Sequence, residues 1–304
     1  MKVLLTGASG FLGRYVLQHL HAAGIETVTL GRRPPMYPAG HSTTTSSWLE
    51  ADLLATADWD AVCQETQATH LLHLAWYAEH GQYWASPLNL RWVEATIRLA
   101  ESFCRTGGKR MVMAGTCAEY DWSHGYCREA STPLRPATLY GTSKDATRRL
   151  VMAIGQQHQV SCAWGRIFLP FGAGENRQRL IPALMEALRG QRPAFGINAT
   201  AYRDFLHASD VASALVTLVH HSTSGAYNIS SGQPVQLATL VRELAALLHS
   251  SPDTVLSLTT ERPGEPELLV GQNQALRDLG WSPTLSLRQG LLQTLDTLIK
   301  PTPP

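Results

Sequence analysis

The feature that most constrains the fold is a glycine-rich turn close to the start of the chain. The segment TGASGFLG occupies positions 6–13, directly after an apolar run over residues 3–6. A stretch with helical spacing follows over residues 15–23, and a β-rich run over residues 27–30. Strand, glycine turn, helix and strand in this order predict a βαβ unit of a parallel sheet.

The spacing of the glycines predicts that this turn binds a diphosphate. Glycine allows unusual backbone angles and lets the backbone approach the anion closely. The helix that follows directs free N–H groups and its positive end toward the same anion. A glycine-rich turn without a ligand is the alternative, but the flanking strand and helix favour a dinucleotide site. The predicted contacts are Gly7, Gly10, Phe11, Leu12 and Gly13.

The alternation of strands and helices continues along the first half of the chain. Apolar runs lie at residues 69–75, 110–114 and 160–168, and helical stretches at residues 88–104 and 142–157. This pattern predicts an α/β fold with a doubly wound parallel (Rossmann) sheet. After Pro170 the pattern changes, and we expect a smaller interleaved α/β substrate lid. The predicted dinucleotide-binding domain is 1–170 plus about 204–224, and the substrate-binding domain is 171–203 plus 225–304.

Composition and charge restrict the partners and the location. The formal net charge is +1, so no global field favours nucleic acid or a membrane surface. No apolar stretch approaches the roughly 20 residues that a membrane span needs. The five cysteines form no CxxC pair, which indicates free thiols rather than a zinc site or disulfides. Met1 and Lys2 lead directly into the first strand, so we expect a cytoplasmic protein with no signal peptide and a small-molecule substrate.

The end of the second predicted strand indicates which dinucleotide binds. An NAD-selective site usually has an acidic residue here for the ribose 2′-hydroxyl. This chain has Gly31, Arg32 and Arg33 instead, and guanidinium groups suit a 2′-phosphate. We therefore expect NADP(H) to be preferred, with NAD(H) possible; a solvated basic turn is the alternative. Asp52 and Leu53 follow a further possible strand and are expected to flank the adenine, unless they form an ordinary surface turn.

Three polar residues predict redox chemistry on an alcohol or ketone. Tyr140 and Lys144 are four positions apart on a predicted helix, so both project from one face. A lysine ammonium beside a phenol lowers the tyrosine pKa, and it can also bind the nicotinamide ribose. Thr116 follows the strand that ends at Ala114, where its hydroxyl could hold the substrate carbonyl oxygen. Taken alone, the YxxxK pattern could arise by chance.

Further motifs occur in an order that is specific in combination. They are HLA at 73–75, GT at 115–116 with Tyr120, RDFLH at 203–207 with Asp210 and Val211, RPG at 262–264, and LGWSP at 279–283. With TGASGFLG they make the chain resemble, over nearly its whole length, the extended short-chain dehydrogenase/reductase family of nucleotide-sugar epimerases, dehydratases and reductases.

The resemblance implies roles for particular residues. It implies a catalytic triad of Thr116, Tyr140 and Lys144, with Tyr140 as general acid/base and Thr116 also touching substrate. It places Leu74, Ala75 and Phe168 beside the cofactor, and Arg203 and Arg262 near the substrate diphosphate. It also implies a homodimer built from the helices at 88–104 and 142–157.

The residues after Thr116 favour one reaction. Dehydratases of the family have Asp-Glu there, whereas this chain has Cys117 and Ala118, and the side chain of Glu119 should point to the other face. Reductases bind fresh NADPH at each turnover, which agrees with Arg32 and Arg33. The segment around Thr116 most resembles nucleotide-linked 4-keto-6-deoxyhexose reductases, so we expect NADPH-dependent reduction of such a sugar.

Other functions remain open at this level. A nucleotide-sugar 4-epimerase with bound NAD is one alternative. An NADP-dependent reductase of a non-sugar carbonyl is another, because Leu169 stands where relatives often have an Asn that helps hold the diphosphate. A non-catalytic NADP-sensing protein is a third, although the intact Tyr140–Lys144 pair argues against it. The aromatic loop of residues 76–84 either stacks on a base or sugar or packs beneath the lid.

Overall fold

A computed structural model describes residues 1–36, 46–261 and 264–299 of the chain. Seven of the strands form one large sheet. They are β1 (Lys2–Thr6), β2 (Glu26–Gly31), β3 (Ser46–Glu50), β4 (His70–His73), β5 (Arg110–Thr116), β7 (Ser161–Ile167) and β11 (Gly225–Ile229). The remaining strands are short: β6 (Tyr126–Cys127), β8 (Leu169–Phe171), β9 (Tyr202–Arg203), β10 (Phe205–His207), β12 (Val235–Gln236) and β13 (Leu268–Gly271).

Besides two short 3₁₀ helices, at Cys117–Glu119 and Trp122–His124, the described residues form ten α-helices. They are α1 (Phe11–Ala22), α2 (Trp59–Thr66), α3 (Leu88–Arg105), α4 (Leu139–Gln157), α5 (Leu180–Leu188), α6 (Ala208–His220), α7 (Leu237–Leu247), α8 (Asp253–Leu256), α9 (Gln274–Arg277) and α10 (Leu287–Ile299). None of these helices is long and apolar enough to cross a membrane.

The large sheet is the predicted doubly wound Rossmann sheet. Its order is β3-β2-β1-β4-β5-β7-β11, and every neighbouring pair is parallel. The chain leaves β1 toward β2 on one side and leaves β4 toward β5 on the other. The crevice between the carboxyl ends of β1 and β4 is therefore the point at which ligands bind in such sheets.

Alternating side chains of the strands bury both faces of the sheet. Val3 and Leu5 belong to the core that the sheet shares with α1 and α6. Leu4, between them, belongs to the opposite core, with residues of α2, α3 and α4. Successive side chains of a strand point to opposite faces, so a continuous apolar strand is buried only when helices cover both sides.

The smaller part of the molecule has its own core. Residues of α5, α7, α8 and α10 pack together with Phe171 and Phe205 in this cluster. Two small sheets accompany it, β8 with β10, and β12-β9-β13-β6. The chain returns to the large sheet in between, because α6 packs on α1 and β11 pairs with β7. We keep the two-domain division as a proposal, with residues 225–229 assigned to the dinucleotide-binding part because of that pairing.

The two acidic residues in the segment 203–211 connect distant parts of the chain. The carboxylate of Asp204 accepts hydrogen bonds from the backbone N–H groups of Ser231, Gly232 and Gly271. That of Asp210 accepts bonds from the backbone N–H groups of Thr284 and Leu285 and from the Thr284 hydroxyl. Both residues are buried. Asp204 thus joins the segments that follow β11 to the end of β13, and Asp210 joins the segment before α10 to α6.

Replacing Asp210 should therefore destabilise the protein. Asp210→Ala leaves buried N–H donors without an acceptor, and we expect the free energy of unfolding to fall by about 1–3 kcal/mol. Urea unfolding followed by circular dichroism measures this change. Asp278→Ala, at an exposed position, is the matched control and should leave the unfolding midpoint close to that of the wild type. An equal loss in both variants would contradict the role assigned to Asp210.

Candidate active site

The glycine turn is closed tightly against the neighbouring strand. Gly7 has a positive φ of 77°, and a Cβ there would lie 2.8 Å from the Ala75 nitrogen. A Cβ on Gly13 would lie 2.0 Å from the Gly7 carbonyl oxygen. Helix α1 starts directly after Gly10, which has no side chain to cap it. The turn therefore fits the predicted dinucleotide, since its backbone and the first N–H groups of α1 can approach a diphosphate.

His73 joins the two strands that flank the crevice. Its Nδ1 lies 2.8 Å from Thr6 Oγ1, and its Nε2 lies 3.0 Å from Thr96 Oγ1. Burial lowers the pKa of His73 to about 3, and the charge of Lys144 acts in the same direction. The imidazole is therefore neutral at physiological pH and acts as a hydrogen-bonding bridge between β1, β4 and α3.

The residues after His73 lie against the glycine turn. The Leu74 N–H donates to the Thr6 carbonyl oxygen at 3.3 Å, and the Ala75 N–H donates to Thr6 Oγ1 at 3.3 Å. Leu74 and Ala75 are thus beside the cradle, as expected for residues that contact the cofactor. The contact itself stays a prediction.

The predicted adenine end of the cofactor site lies at the edge of the sheet. Arg32 and Arg33 follow the last residue of β2 and are exposed. The carboxylate of Asp52 accepts the Leu54 N–H at 3.0 Å, so one of its oxygens supports a local turn. Leu53 is buried in the core with β2 residues, which leaves little of its side chain for a ligand. The contacts predicted for these four residues stay predictions.

The structure brings Thr116 and Tyr140 together and places Lys144 one turn further along the helix. Thr116 is the last residue of β5, and its side chain lies close enough to the Tyr140 phenol to act on the pKa of that group. Helix α4 begins at Leu139, earlier than the predicted 142, because the Thr138 hydroxyl accepts the Gly141 N–H and caps the helix. Tyr140 and Lys144 consequently share a helix, as the spacing predicted.

The protonation states differ from the sequence-based expectation. Burial raises the pKa of Tyr140 above its ordinary value and outweighs the Thr116 hydrogen bond, which lowers it. Burial also lowers the pKa of Lys144 to about 7, opposed by the charge of Glu119. Lys144 Nζ donates to the Ala114 carbonyl oxygen at 2.9 Å and faces the Trp76 ring. The predicted lowering of the tyrosine pKa by Lys144 is therefore not what the structure shows, and Tyr140 is a neutral phenol able to donate a proton.

Aromatic rings surround Tyr140. Its ring is edge-on to those of Tyr83, at 4.9 Å between centroids, and of Trp84, at 5.7 Å. The Tyr140 N–H donates to the Trp84 carbonyl oxygen at 3.1 Å. The loop thus packs on the predicted catalytic residue itself, a contact that its aromatic composition alone did not indicate.

Glu119 points away from the site, as expected, into a buried network. Its Oε1 accepts the Thr116 N–H at 2.9 Å and the Trp164 indole N–H at 2.8 Å. Its Oε2 accepts the Arg166 Nε–H at 2.8 Å. Cys117 and Ala118 have no carboxylate, and that of Glu119 is engaged in this network. The link of Glu119 to Thr116 is a capping box, which the T-x-x-E spacing of residues 116–119 could have indicated. Its links to Trp164 and Arg166 depend on the fold, because these partners lie on β7.

The substrate-side predictions have a mixed outcome. Arg203 donates to the carbonyl oxygens of Tyr202 and Pro266 and lies 3.4 Å from Glu265, so it is engaged within the lid. Phe168 is buried beside Tyr120, and a Cβ on Gly271 would clash with its ring. Arg262 lies outside the described residues. The binding roles of these three residues stay predictions.

Arg179 is a further basic residue, close to Tyr83, that the sequence did not indicate. Arg179 Nη1 lies 3.4 Å from the Tyr83 hydroxyl, and Arg179 Nε lies 3.5 Å from Glu175. Burial raises the pKa of Glu175 to about 7, and its other oxygen has no partner in the structure. No motif marks these residues, because their proximity to Tyr83 depends on the fold. No group of three or more side chains suited to a metal ion occurs among the described residues.

Comparison with known proteins gives a consistent result. Residues 3–230 match the family described as "NAD dependent epimerase/dehydratase family". The chain is 27% identical over 322 residues to a UDP-glucose 4-epimerase of Azospirillum brasilense, covering 96% of this chain and 90% of the relative. It is 26% identical to a dTDP-6-deoxy-L-talose 4-dehydrogenase (NAD(+)) of Aggregatibacter actinomycetemcomitans, covering 81% and 90%.

A solved structure has the same fold. MoeE5 in complex with UDP-glucuronic acid and NAD superposes with a TM-score of 0.84 at 26% identity. The match covers 99% of this chain and 100% of MoeE5. The whole described architecture, lid included, is therefore shared with a protein that binds a nucleotide sugar and a dinucleotide.

The neutral His73 bridge predicts a pH-dependent stability. The folded state holds this imidazole with a pKa of about 3, below the ordinary value of 6.5. The unfolded state therefore binds a proton as the pH falls below about 6.5, and the folded state is progressively destabilised between that pH and about 3. His73 should therefore change the free energy of unfolding by up to about 1.4 kcal/mol per pH unit in this range, and His73→Gln should remove that contribution.

Urea unfolding at several pH values between 4 and 7 tests this expectation. His158→Gln, at an exposed position, is the control and should keep the pH dependence of the wild type. Parallel stability curves for His73→Gln and the wild type would contradict the neutral bridge.

Proposed function

The chain belongs to the NAD dependent epimerase/dehydratase family of NAD(P)-dependent enzymes, and we propose that it reduces a nucleotide-linked 4-keto-6-deoxy sugar with NADPH. The observation that carries the proposal is the placement of the Tyr140 phenol beside Thr116, at the carboxyl end of the large sheet, with Lys144 one turn further along α4. A proton donor in that position suits the reduction of a ketone.

The chemistry divides between the cofactor and the chain. Bound NADPH would supply the hydride that adds to the ketone carbon. The Thr116 hydroxyl holds the ketone oxygen, and the Tyr140 phenol gives that oxygen its proton, so that a ketone becomes an alcohol. The Lys144 ammonium, one turn further along α4, can bind the nicotinamide ribose, and solvent reprotonates the phenolate. The glycine turn, with Gly7 and Gly13, orients the nicotinamide by holding the diphosphate.

The residues after Thr116 support reduction over dehydration. Cys117 and Ala118 have no acidic group, and the Glu119 carboxylate is paired with Arg166. Elimination of water needs a positioned acid and base, which these positions do not supply. The relative named as a 4-dehydrogenase of a 6-deoxy sugar nucleotide supports redox chemistry at carbon 4 of such a substrate.

A nucleotide-sugar 4-epimerase with bound NAD is the second candidate. It is favoured by the relative named UDP-glucose 4-epimerase and by the MoeE5 complex, which contains NAD. The same Thr116, Tyr140 and Lys144 would serve it. A reductase exchanges its cofactor at each turnover, whereas an epimerase retains its NAD. Arg32 and Arg33 support the reductase, because they suit the 2′-phosphate of NADPH.

We also propose the setting in which the protein works. Exposed Leu90 on α3 and Leu150 on α4 support a homodimer through these helices. Five buried cysteines without disulfides support the reducing cytoplasm. The partner of the site is a nucleotide sugar, and nothing in the charge of the chain favours nucleic acid or membrane.

The cofactor preference gives the first test of this proposal. Arg32 and Arg33 should bind the 2′-phosphate by charge-assisted hydrogen bonds, so NADP(H) should bind at least about tenfold more tightly than NAD(H). In the double variant Arg32→Ala, Arg33→Ala this difference should disappear while NAD(H) affinity stays the same. Calorimetry with both cofactors measures it, and Arg288→Ala, far from the glycine turn in sequence, is the control. Equal or tighter NAD binding by the wild type would refute the preference.

The reaction itself gives the second test. Purified protein should oxidise NADPH in a one-to-one ratio with a nucleotide-linked 4-keto-6-deoxy sugar. Tyr140→Phe should lower turnover by about 10²–10⁴ with nearly unchanged cofactor binding, and Thr116→Val should lower it less. Tyr126→Phe, at an exposed position, is the control. Protein that is isolated with NAD and interconverts two nucleotide sugars without consuming NADPH would establish the epimerase instead.

A further inference from the structure

Lys144 is the buried cation of the proposed active site, and its nearest cover is an aromatic ring. Only 4% of the surface of Lys144 is exposed to solvent. Nζ donates to the Ala114 carbonyl oxygen at 2.9 Å and lies 3.9 Å from the centroid of the Trp76 ring. The acid whose charge acts on Lys144 is Glu119, which is already paired with Arg166.

An ammonium group in such surroundings needs a compensating partner, because burial disfavours its charge. The negative face of an indole ring is a partner for a cation, and the attraction is strongest where water is excluded. We propose that Trp76 is a positioning residue that holds the Lys144 ammonium, in its charged form, at the active site through a cation–π contact. The functional importance of this contact rests on the Tyr140–Lys144 chemistry proposed above.

Trp76 is itself held in place from α3. Its indole N–H donates to Asn89 Oδ1 at 2.8 Å, and its ring stacks on that of Trp92 with centroids 6.1 Å apart. Asn89 is fully buried. The ring over Lys144 therefore has a fixed orientation, which a ring on an unsupported loop would lack.

The same asparagine connects the cover of Lys144 to that of Tyr140. Asn89 Nδ2 donates to the Tyr83 carbonyl oxygen at 2.7 Å, and the Tyr83 ring is edge-on to the Tyr140 ring. One amide side chain thus fixes both ends of the aromatic loop. Tyr140 and Lys144, four residues apart on α4, are therefore both covered by the loop of residues 76–84, which Asn89 holds in place.

Among the described residues, Glu119 is the charged side chain that acts on Lys144, and His73 and Tyr140 are neutral neighbours. Glu119, on the turn after β5, favours the ammonium form, whereas burial lowers the lysine pKa. His73, at the end of β4, is neutral across the pH range in which Lys144 titrates, because its own pKa is about 3. Tyr140, on the same helix, is neutral in that range too, since burial raises its pKa. Loss of the Trp76 ring should therefore appear directly as a lower pKa of Lys144.

The experiment measures that pKa without relying on catalysis. The chain has few lysines, so protein labelled with ¹³C-lysine gives a simple set of Cε signals, and Lys144→Met assigns the one of interest. The lysines are Lys2, Lys109, Lys144 and Lys300. Titration should show that Trp76→Leu lowers the pKa of Lys144 by about half a unit to one unit, whereas Trp76→Phe retains most of the wild-type value.

The control is Trp92→Leu, which removes a neighbouring indole that stacks on Trp76 and should change the Lys144 pKa less than Trp76→Leu does. An unchanged or raised pKa in Trp76→Leu would overturn the proposal. Turnover is a second readout: the pH at which Lys144 titrates in the rate profile should move with the measured pKa and return in Trp76→Phe. Absence of reductase activity in every protein would refute the proposed function but leave the NMR result decisive for Trp76.

Fluorinated tryptophan keeps the proposal testable if Trp76→Leu does not fold. Fluorine withdraws electron density from the indole face with little change of shape. Stepwise fluorination of all eight tryptophans should lower the Lys144 pKa in proportion to the number of fluorines. In the Trp76→Phe background the same series should have no effect. A slope that is the same in both backgrounds would overturn the assignment to Trp76.

Discussion

The buried ion pair between Glu119 and Arg166 is the interaction on which the active site depends. Glu119 receives the Arg166 guanidinium, the Trp164 indole and the backbone N–H of Thr116, all without contact with water. Leaving one partner of a buried pair uncompensated costs about 3–5 kcal/mol, so the geometry of these groups is closely determined. The backbone of Thr116, at the end of β5, is therefore held by this pair as well as by the sheet.

The same network extends from the large sheet to the lid. Arg166 donates to the Tyr120 hydroxyl, which in turn donates to Asn228 Oδ1. Asn228 Nδ2 then donates to the carbonyl oxygens of Cys127 and Gln272, at the ends of the short strands β6 and β13. A continuous set of buried hydrogen bonds therefore couples the position of Thr116 to the part of the molecule expected to hold the sugar.

Burial also determines which protonation states the site offers. Tyr140 packs against the rings of Tyr83 and Trp84, and its raised pKa keeps the phenol neutral. The pKa of Lys144 is lowered to about 7, so this group titrates near neutral pH. The neutral Tyr140 phenol, one helical turn from the Lys144 ammonium, is suited to giving up a proton at neutral pH. The carbonyl reduction proposed above would use the site in that direction.

The local sequence determined the elements whose form depends only on near neighbours. The glycine cradle, the alternating strands and helices, and the shared helix of Tyr140 and Lys144 could all be predicted, because backbone sterics and side-chain periodicity act over a few residues. Only the tertiary structure decided the pairing of Glu119 with Trp164 and Arg166, the bond of Arg203 to Pro266, and the ring of Trp76 over Lys144. The contacts of Glu119 with β7, of Arg203 with Pro266 and of Trp76 with Lys144 join residues 45 to 68 positions apart. Burial, which sets the pKa values, exists only once the chain has folded.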